Sequence, residues 1–383
     1  MLDTPIATAP YDLQAVRDEF PITRECVYLN HAGISPLSSR VRNAMTALLD
    51  DGVAVADPAE RHKTLLDDTR AAIARLVGGK PCEIALVQNT SEGINIAAHA
   101  LSLEPGDNVI LCDMEFPSTV YPWLNLERIR GIETRIIPHH RGGLAVADLE
   151  RAADSRTRVV VASIVEFLTG YRNDVSAIGA WCRAHGATFV ADGIQSLGHL
   201  PLDVRQAQID VLASGTLKSL MGPPGQGFLY IRQELIPQLQ PPFAGPLSVV
   251  DWANWRDYNL TFLPDARRFE LGTYNWVGLA GMKAAVEFLM ELGLSNIERW
   301  TLHLTDVLIA DLQRRGYAIA SCLDPACRSS IVSFSVANPQ AALEKLKAAR
   351  VIVARREDYI RVSTHCYNTE DEILTVGQVL GNA

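Results

Sequence analysis

One lysine in this 383-residue chain stands where an amine could act as a nucleophile instead of a solvated surface charge. Lys218 lies in Ser214-Gly215-Thr216-Leu217-Lys218-Ser219-Leu220-Met221-Gly222-Pro223-Pro224-Gly225, among small, hydroxyl and apolar residues, just after the apolar run Ile209–Ala213. Burial there disfavours the ammonium and favours the free amine that imine formation needs. The glycines that follow permit tight turns and close backbone approach. A second feature is Phe189-Val190-Ala191-Asp192-Gly193-Ile194-Gln195, an apolar strand that ends in an aspartate. A carboxylate so placed is costly unless a cation or a hydrogen-bond donor meets it. Third, Asn89-Thr90-Ser91-Glu92-Gly93 precedes an apolar run, with Thr90 or Ser91 suited to cap a helix and Glu92 to its first turn. The unpaired N–H groups of such an end, with added hydroxyls, form an anion site. Fourth, Asp358-Tyr359-Ile360-Arg361-Val362-Ser363 alternates with period two, which sets Arg361 and Ser363 opposite Ile360 and Val362. A guanidinium held on a strand can clamp a carboxylate through two parallel hydrogen bonds. Each feature alone also has a plain reading: a surface lysine, an Asx-turn, an ordinary cap, a solvated arginine.

Positioning such groups requires a framework. From about Ser91 to Arg232, short apolar runs predict strands at Asn108–Cys112, Thr134–Pro138, Thr157–Ile164, Ala187–Asp192, Ile209–Ala213 and Gly227–Ile231. Amphipathic stretches such as Val175–His185 lie between several of them. That alternation predicts an α/β fold, a mostly parallel sheet with helices on both faces, in which ligands gather beyond the carboxyl ends of the strands. A stretch rich in Trp, Pro and Asp, Asp251–Asp265, reads as an irregular connection. After it come helices at Val277–Leu292 and Ser295–Arg315, strands at Tyr317–Ser321 and Ser330–Val336, a helix at Pro339–Ala349, strands at Val351–Val353 and Tyr359–Ser363, and a final helix. This predicts a large domain over residues 20–275 and a smaller α+β domain formed by 1–19 and 276–383.

Hydrophobic residues at 48% and a mean hydropathy of +0.07 are enough to build a sizeable core and argue against a disordered chain. A net charge of −9 argues against a general nucleic-acid or anionic-membrane surface. The longest apolar run, Val159 to Val165 broken by Ser163, is too short to span a bilayer. The N-terminus shows no basic region followed by an apolar stretch, and seven scattered cysteines without a C-x-x-C pair fit reduced thiols in a cytoplasm. No metal site is expected.

Taken together and in this order, the motifs resemble the class V aminotransferase family, fold type I enzymes that use pyridoxal 5′-phosphate (PLP) and include cysteine desulfurases and isopenicillin N epimerase-like proteins. The likeness runs from Tyr28-Leu29-Asn30-His31-Ala32-Gly33 to Tyr367-Asn368-Thr369, nearly the whole chain. It implies a seven-stranded-type sheet and a Schiff base between PLP and Lys218, which later moves protons at the substrate Cα. Asp192 then partners the pyridine nitrogen, keeping the ring cationic and able to absorb electrons. Gln195 donates to the ring's phenolic oxygen, and Thr90, Ser91 and Ser214 or Thr216 hold the phosphate. Thr273, in Leu271-Gly272-Thr273-Tyr274-Asn275, reaches the neighbouring subunit's phosphate, which implies a working homodimer. Phe116 stacks on the ring, Arg361 anchors the substrate α-carboxylate, and Asn30 and His31 lie at the substrate.

The departures are informative. Phe116 stands where desulfurases carry a histidine, and a phenyl face can stack but cannot transfer a proton. Leu217 likewise replaces a histidine, and Ala348 to Tyr359 contains no cysteine where desulfurases place their nucleophile. The expectation is therefore an aminotransferase or epimerase acting on an amino acid or amine, with a C–S lyase or desulfurase as the alternative. Readings from other classes are a non-catalytic binding member of the fold and a Rossmann dehydrogenase, the last disfavoured because the glycines cluster after Lys218 and not after a first strand.

Overall fold

The apolar runs become strands because both their faces are covered: every residue of Asn108–Cys112, Val211–Gly215 and Gly227–Ile231 is buried. The computed structural model describes residues 8–54 and 59–383, so the first seven residues of the expected small-domain segment lie outside it. In chain order the strands are β1 (Val27–Tyr28), β2 (Ile84–Val87), β3 (Asn108–Cys112), β4 (Glu133–Ile137), β5 (Thr157–Ser163), β6 (Thr188–Asp192), β7 (Val211–Gly215), β8 (Gly227–Ile231), β9 (Ile331–Ser335), β10 (Val351–Ile352), β11 (Ala354–Arg356) and β12 (Tyr359–Ser363).

Seven of them form one sheet in the order β2-β8-β7-β6-β5-β3-β4. Neighbours from β7 to β4 run parallel, whereas β8 is antiparallel to both β2 and β7. The crossovers pass through helices Pro117–Arg130, Val146–Ala152 and Val175–His185. Successive side chains feed two separate cores: Ile110, Val160, Ala162, Phe189 and Ala191 on one face, Val109, Leu111, Val159, Val161 and Val190 on the other. The chain leaves β3 outward to β4 and returns on its other side as β5, so a crevice opens between the ends of β3 and β5.

The smaller sheet, β11-β12-β9, is antiparallel and packs with helices Leu294–Arg314, Pro339–Ala348 and Glu370–Leu380 around Leu304, Leu308, Phe334, Val362 and Ile373. Two cross-links tie the N-terminal segment to it. β1 pairs with β10, and Asn30 bridges Ser363. On that basis we propose that the segment through Asn30 belongs with the smaller domain, moving the boundary some ten residues past the expected position.

Two expectations change. Tyr317–Ser321 forms no strand, only a bridge from Ile319 to Phe334 of β9, and at its end the Ser321 hydroxyl donates to Thr169 O and accepts from Ser333 N–H. β2 went unpredicted, since four residues of Ile-Ala-Leu-Val carry too short a pattern to separate strand from helix.

Candidate active site

Lys218 projects from a loop that is braced on several sides. After β7 the chain doubles back through 216–226: Thr216 N–H donates to Gln226 O at 3.0 Å and Gly222 N–H to Thr216 O at 2.8 Å. The Thr216 hydroxyl closes the turn by donating to Pro223 O at 2.6 Å. Buried Met221 takes φ 54°, a conformation that costs a bulky residue on the order of 1–3 kcal/mol and persists only where packing enforces it. Elsewhere, Ser35 N–H donates to Leu217 O and His365 Nε2–H to Ser219 O, both at 2.8 Å. The Lys218 amine lies 5.1 Å from the centroid of the Phe116 ring. Burial lowers its pKa to about 8, with Asp192 pulling the other way and Arg361 and Arg356 adding to the depression.

Asp192 ends β6 and is buried. Ile194 N–H donates to its Oδ1 at 2.8 Å and Thr119 Oγ1–H to its Oδ2 at 3.2 Å. Burial still outweighs these donors and Lys218, so its pKa rises above the ordinary carboxylate range. Behind it stand two further buried carboxyls. Glu115 accepts from both the backbone N–H and the hydroxyl of Ser163 at 2.6 Å. Glu166 Oε1 accepts from Asn173 at 2.9 Å, while its Oε2 has no partner. Burial raises Glu115 to about 8 despite Ser163, with Asp192 adding, and raises Glu166 well above its ordinary value, with Glu115 adding. The donor pattern ranks the two: Glu115, which takes two hydrogen bonds from Ser163, gives up its proton before Glu166, whose Oε2 meets no donor. Donor atoms of Cys112, Glu115 and Glu166 lie within 4.8 Å of one another, a cluster that no expectation included.

At the start of helix Thr90–Ala100, Asn89 is the cap, accepting from Glu92 N–H at 2.9 Å, in place of the expected Thr90 or Ser91. Asparagine outcompetes threonine there, and the shift puts Thr90 and Ser91 in the first turn. Thr90 Oγ1 accepts from Gly215 N–H at 2.8 Å, joining the helix start to the end of β7 and leaving its own proton free to donate. Ser91 is exposed; Ser214 donates its hydroxyl to Gly215 O at 3.0 Å. The hydroxyls of Ser214 and Thr216 must therefore rotate before either could hold a phosphate. Thr273 is exposed on a segment anchored by Glu270, which accepts from Arg70 at 2.6 Å, from Leu86 N–H at 2.8 Å, and from Tyr274.

On the other wall, Arg361 is 1% exposed and donates through Nη1 to Phe167 O. Its Nε and Nη2 are buried without a partner among the described residues. Burial first, and then Arg356, push its pKa down to about 9. Nearby, Asn30 Oδ1, His31 Nε2 and Gln195 Oε1 are also buried and unpartnered, although Gln195 Nε2 donates to Ala32 O at 3.0 Å and His31 Nδ1 bonds Ser35 at 2.8 Å. Burial pushes His31 well below its usual pKa and His365 down to about 4. His365 also accepts from Cys366 N–H, so both its nitrogens are committed and it serves as a clasp. Trp123 is a core residue and Tyr121 faces solvent.

Sequence reasoning missed Thr119, Glu115, Glu166 and Arg356. Only Glu115 and Thr119 carried a signal, through their place just after β3 at the crevice. The residues fit PLP: an amine with lowered pKa, a buried carboxylate with lone pairs to spare, a ring facing the amine, and a helix start with a free hydroxyl proton. An α/β protein with an amine and a carboxylate so paired at its strand ends is of the PLP-enzyme class. The family described as aminotransferase class-V matches residues 27–376, and the chain belongs to it, a PLP-dependent enzyme of fold type I. A probable cysteine desulfurase of Methanothermobacter thermautotrophicus is 30% identical over 95% of this chain and 96% of its own. The solved cystine C–S lyase C-DES, in complex with its product cysteine persulfide, is 26% identical with a TM-score of 0.87 over 94% of this chain and 98% of that one. A mutant of C-DES with glycine covalently linked to its PLP cofactor is 25% identical, TM-score 0.89, over 96% and 99%.

Proposed function

We propose that this enzyme cleaves the C–S bond of a cysteine derivative by β-elimination, with no protein cysteine as acceptor. The observation that carries this reading is the state of the thiols: Cys112, Cys182, Cys322 and Cys366 are buried, and no cysteine stands in residues 348–359 ahead of Arg361. Cys366, the cysteine nearest Arg361 in sequence, is fully buried with its thiol pKa pushed up by burial, so it is a poor nucleophile. A sulfur that leaves with its own bonding pair needs no such nucleophile. Likeness to a C–S lyase supports this over the aminotransferase or epimerase activity that the sequence favoured.

When bound, PLP supplies an electron sink for the pair released at Cα. Asp192 would hold a proton on the ring nitrogen, its carboxylate fixed by Ile194 N–H and the Thr119 hydroxyl. Arg361 orients the substrate by its α-carboxylate, and Lys218 Nζ removes the Cα proton. Phe116 covers the site without offering a proton, which leaves Lys218 as the base.

A second copy of the chain completes the site in this proposal. Phe243, Trp252, Trp255, Tyr258 and Leu260 are all exposed, Tyr258 at 95% and Trp255 at 77%, beside the segment that carries Thr273. So much aromatic surface in one stretch is an interface signature. Seven free cysteines favour a reducing compartment, the cytoplasm, and no helix among the described residues is long and apolar enough to cross a membrane.

Product analysis tests the reaction. With cystine or S-alkylcysteines, the reading expects one pyruvate and one ammonia for each C–S bond cleaved, the sulfur leaving as a persulfide or a thiol respectively. Alanine as the carbon product, or accumulation of pyridoxamine phosphate, would refute it.

A further inference from the structure

We infer that the substrate carries a second anionic group, a carboxylate or a like oxyanion at the far end of its side chain, and that Arg356 receives it. For a C–S lyase this means a cysteine whose sulfur substituent ends in a carboxylate. The inference rests on the elimination reading only for the reaction, not for the binding geometry.

The argument begins with the hairpin register. In the β11–β12 pair, Ala354 stands opposite Arg361 and Arg356 opposite Tyr359. Residues two apart on a strand share a face, so Arg356, Ala354, Tyr359 and Arg361 project on one side, with Arg355 on the other. Arg356 and Arg361 are therefore diagonal cross-strand neighbours, about 7–8 Å apart at the backbone, within reach for long side chains. Ala354, directly across from Arg361, takes up little of the space between them. The register is held by a two-residue turn in which Glu357 takes φ 49°, a position that favours glycine.

Among the described residues neither arginine has an acid. Arg356 donates only to the backbone O of Arg355, at 2.8 Å, and forms no ion pair among the described residues. Like charges on diagonal positions repel, and both lie within electrostatic range of Lys218. Two arginines side by side with no carboxylate of their own make a wall that a monoanionic ligand leaves unbalanced. A substrate with two anionic ends balances it, one on the Arg361 fork and one on Arg356.

Two measurements on the holoenzyme test this. Binding of glutarate and of butyrate is read from the cofactor absorbance, which needs no turnover. Glutarate should bind roughly tenfold or more tightly, and Arg356→Gln should erase that preference while Arg355→Gln, on the opposite face, keeps it. In turnover, kcat/KM for S-carboxyethylcysteine over S-propylcysteine should favour the acid by a similar factor, mainly through KM, and the ratio should collapse in Arg356→Gln but survive in Arg356→Lys. Equal binding of the two acids by the native enzyme, or a preference untouched by Arg356→Gln, overturns the inference. Absence of C–S cleavage with both cysteines would strike the elimination reading alone, and the binding comparison would still decide this one.

Discussion

The two charged walls of the site are finished to different degrees. Asp192, at the end of β6, is an anion already met by protein donors, Ile194 and Thr119, and backed by Glu115 and Glu166. Arg361, on β12, is a buried cation with two nitrogens that meet nothing. Leaving a buried charge unpaired costs several kcal/mol, and each unmet donor about 1–3 kcal/mol. A fold keeps such a cost where a ligand removes it. The difference teaches that the cofactor wall is preorganised by the protein itself, whereas the substrate wall is completed by the substrate.

Three substitutions would break or sharpen that contrast. Asp192→Asn should have the largest effect, lowering kcat by roughly 10²- to 10³-fold with the fold intact, because an amide cannot hold a proton on the ring nitrogen. Steady-state kinetics with circular dichroism would check it, and a loss under tenfold would contradict the role. Arg361→Met should raise KM about 100-fold, since a hydrogen-bonded charge pair is worth some 1.5–3 kcal/mol. Unlike Asp192→Asn, it should leave thermal stability unchanged or higher, because an uncompensated buried cation is gone. A marked fall in melting temperature would show that the contact with Phe167 matters more than the unpaired charge costs.

Glu166→Gln is the mildest test and concerns pH. Glu115 and Glu166 have folded-state pKa values above their unfolded ones, so the folded protein binds more protons and loses stability as pH rises. For Glu115 the window runs from the ordinary carboxylate range to about 8. Melting temperature should therefore fall between pH 5 and pH 8 in the native protein, and less steeply in Glu166→Gln, where an uncharged amide replaces the protonated acid. Identical slopes would mean that Glu166 is not the proton holder.

Much of this was legible in the sequence, for identifiable reasons. Lys218 and Asp192 stood out because apolar strands of a parallel sheet end at them, and polar residues at such ends are rare enough to notice. Arg361 was readable from period-two alternation alone. Arg356 was not, because its face depends on the β11–β12 register, which a turn at Glu357 sets and no local pattern reveals. Glu166 looked like an ordinary loop residue, and Glu115 and Thr119 had only their place just after β3 to mark them; all three are buried in the folded chain. Thr90 and Ser91 were placed one position off because Asn89 beside them is an equally good cap.

Borohydride reduction of the holoenzyme followed by peptide mass analysis tests the central claim most directly. The expected result is a phosphopyridoxyl group on Lys218 and on no other residue. A label on another lysine, or none, would contradict the assignment of the site.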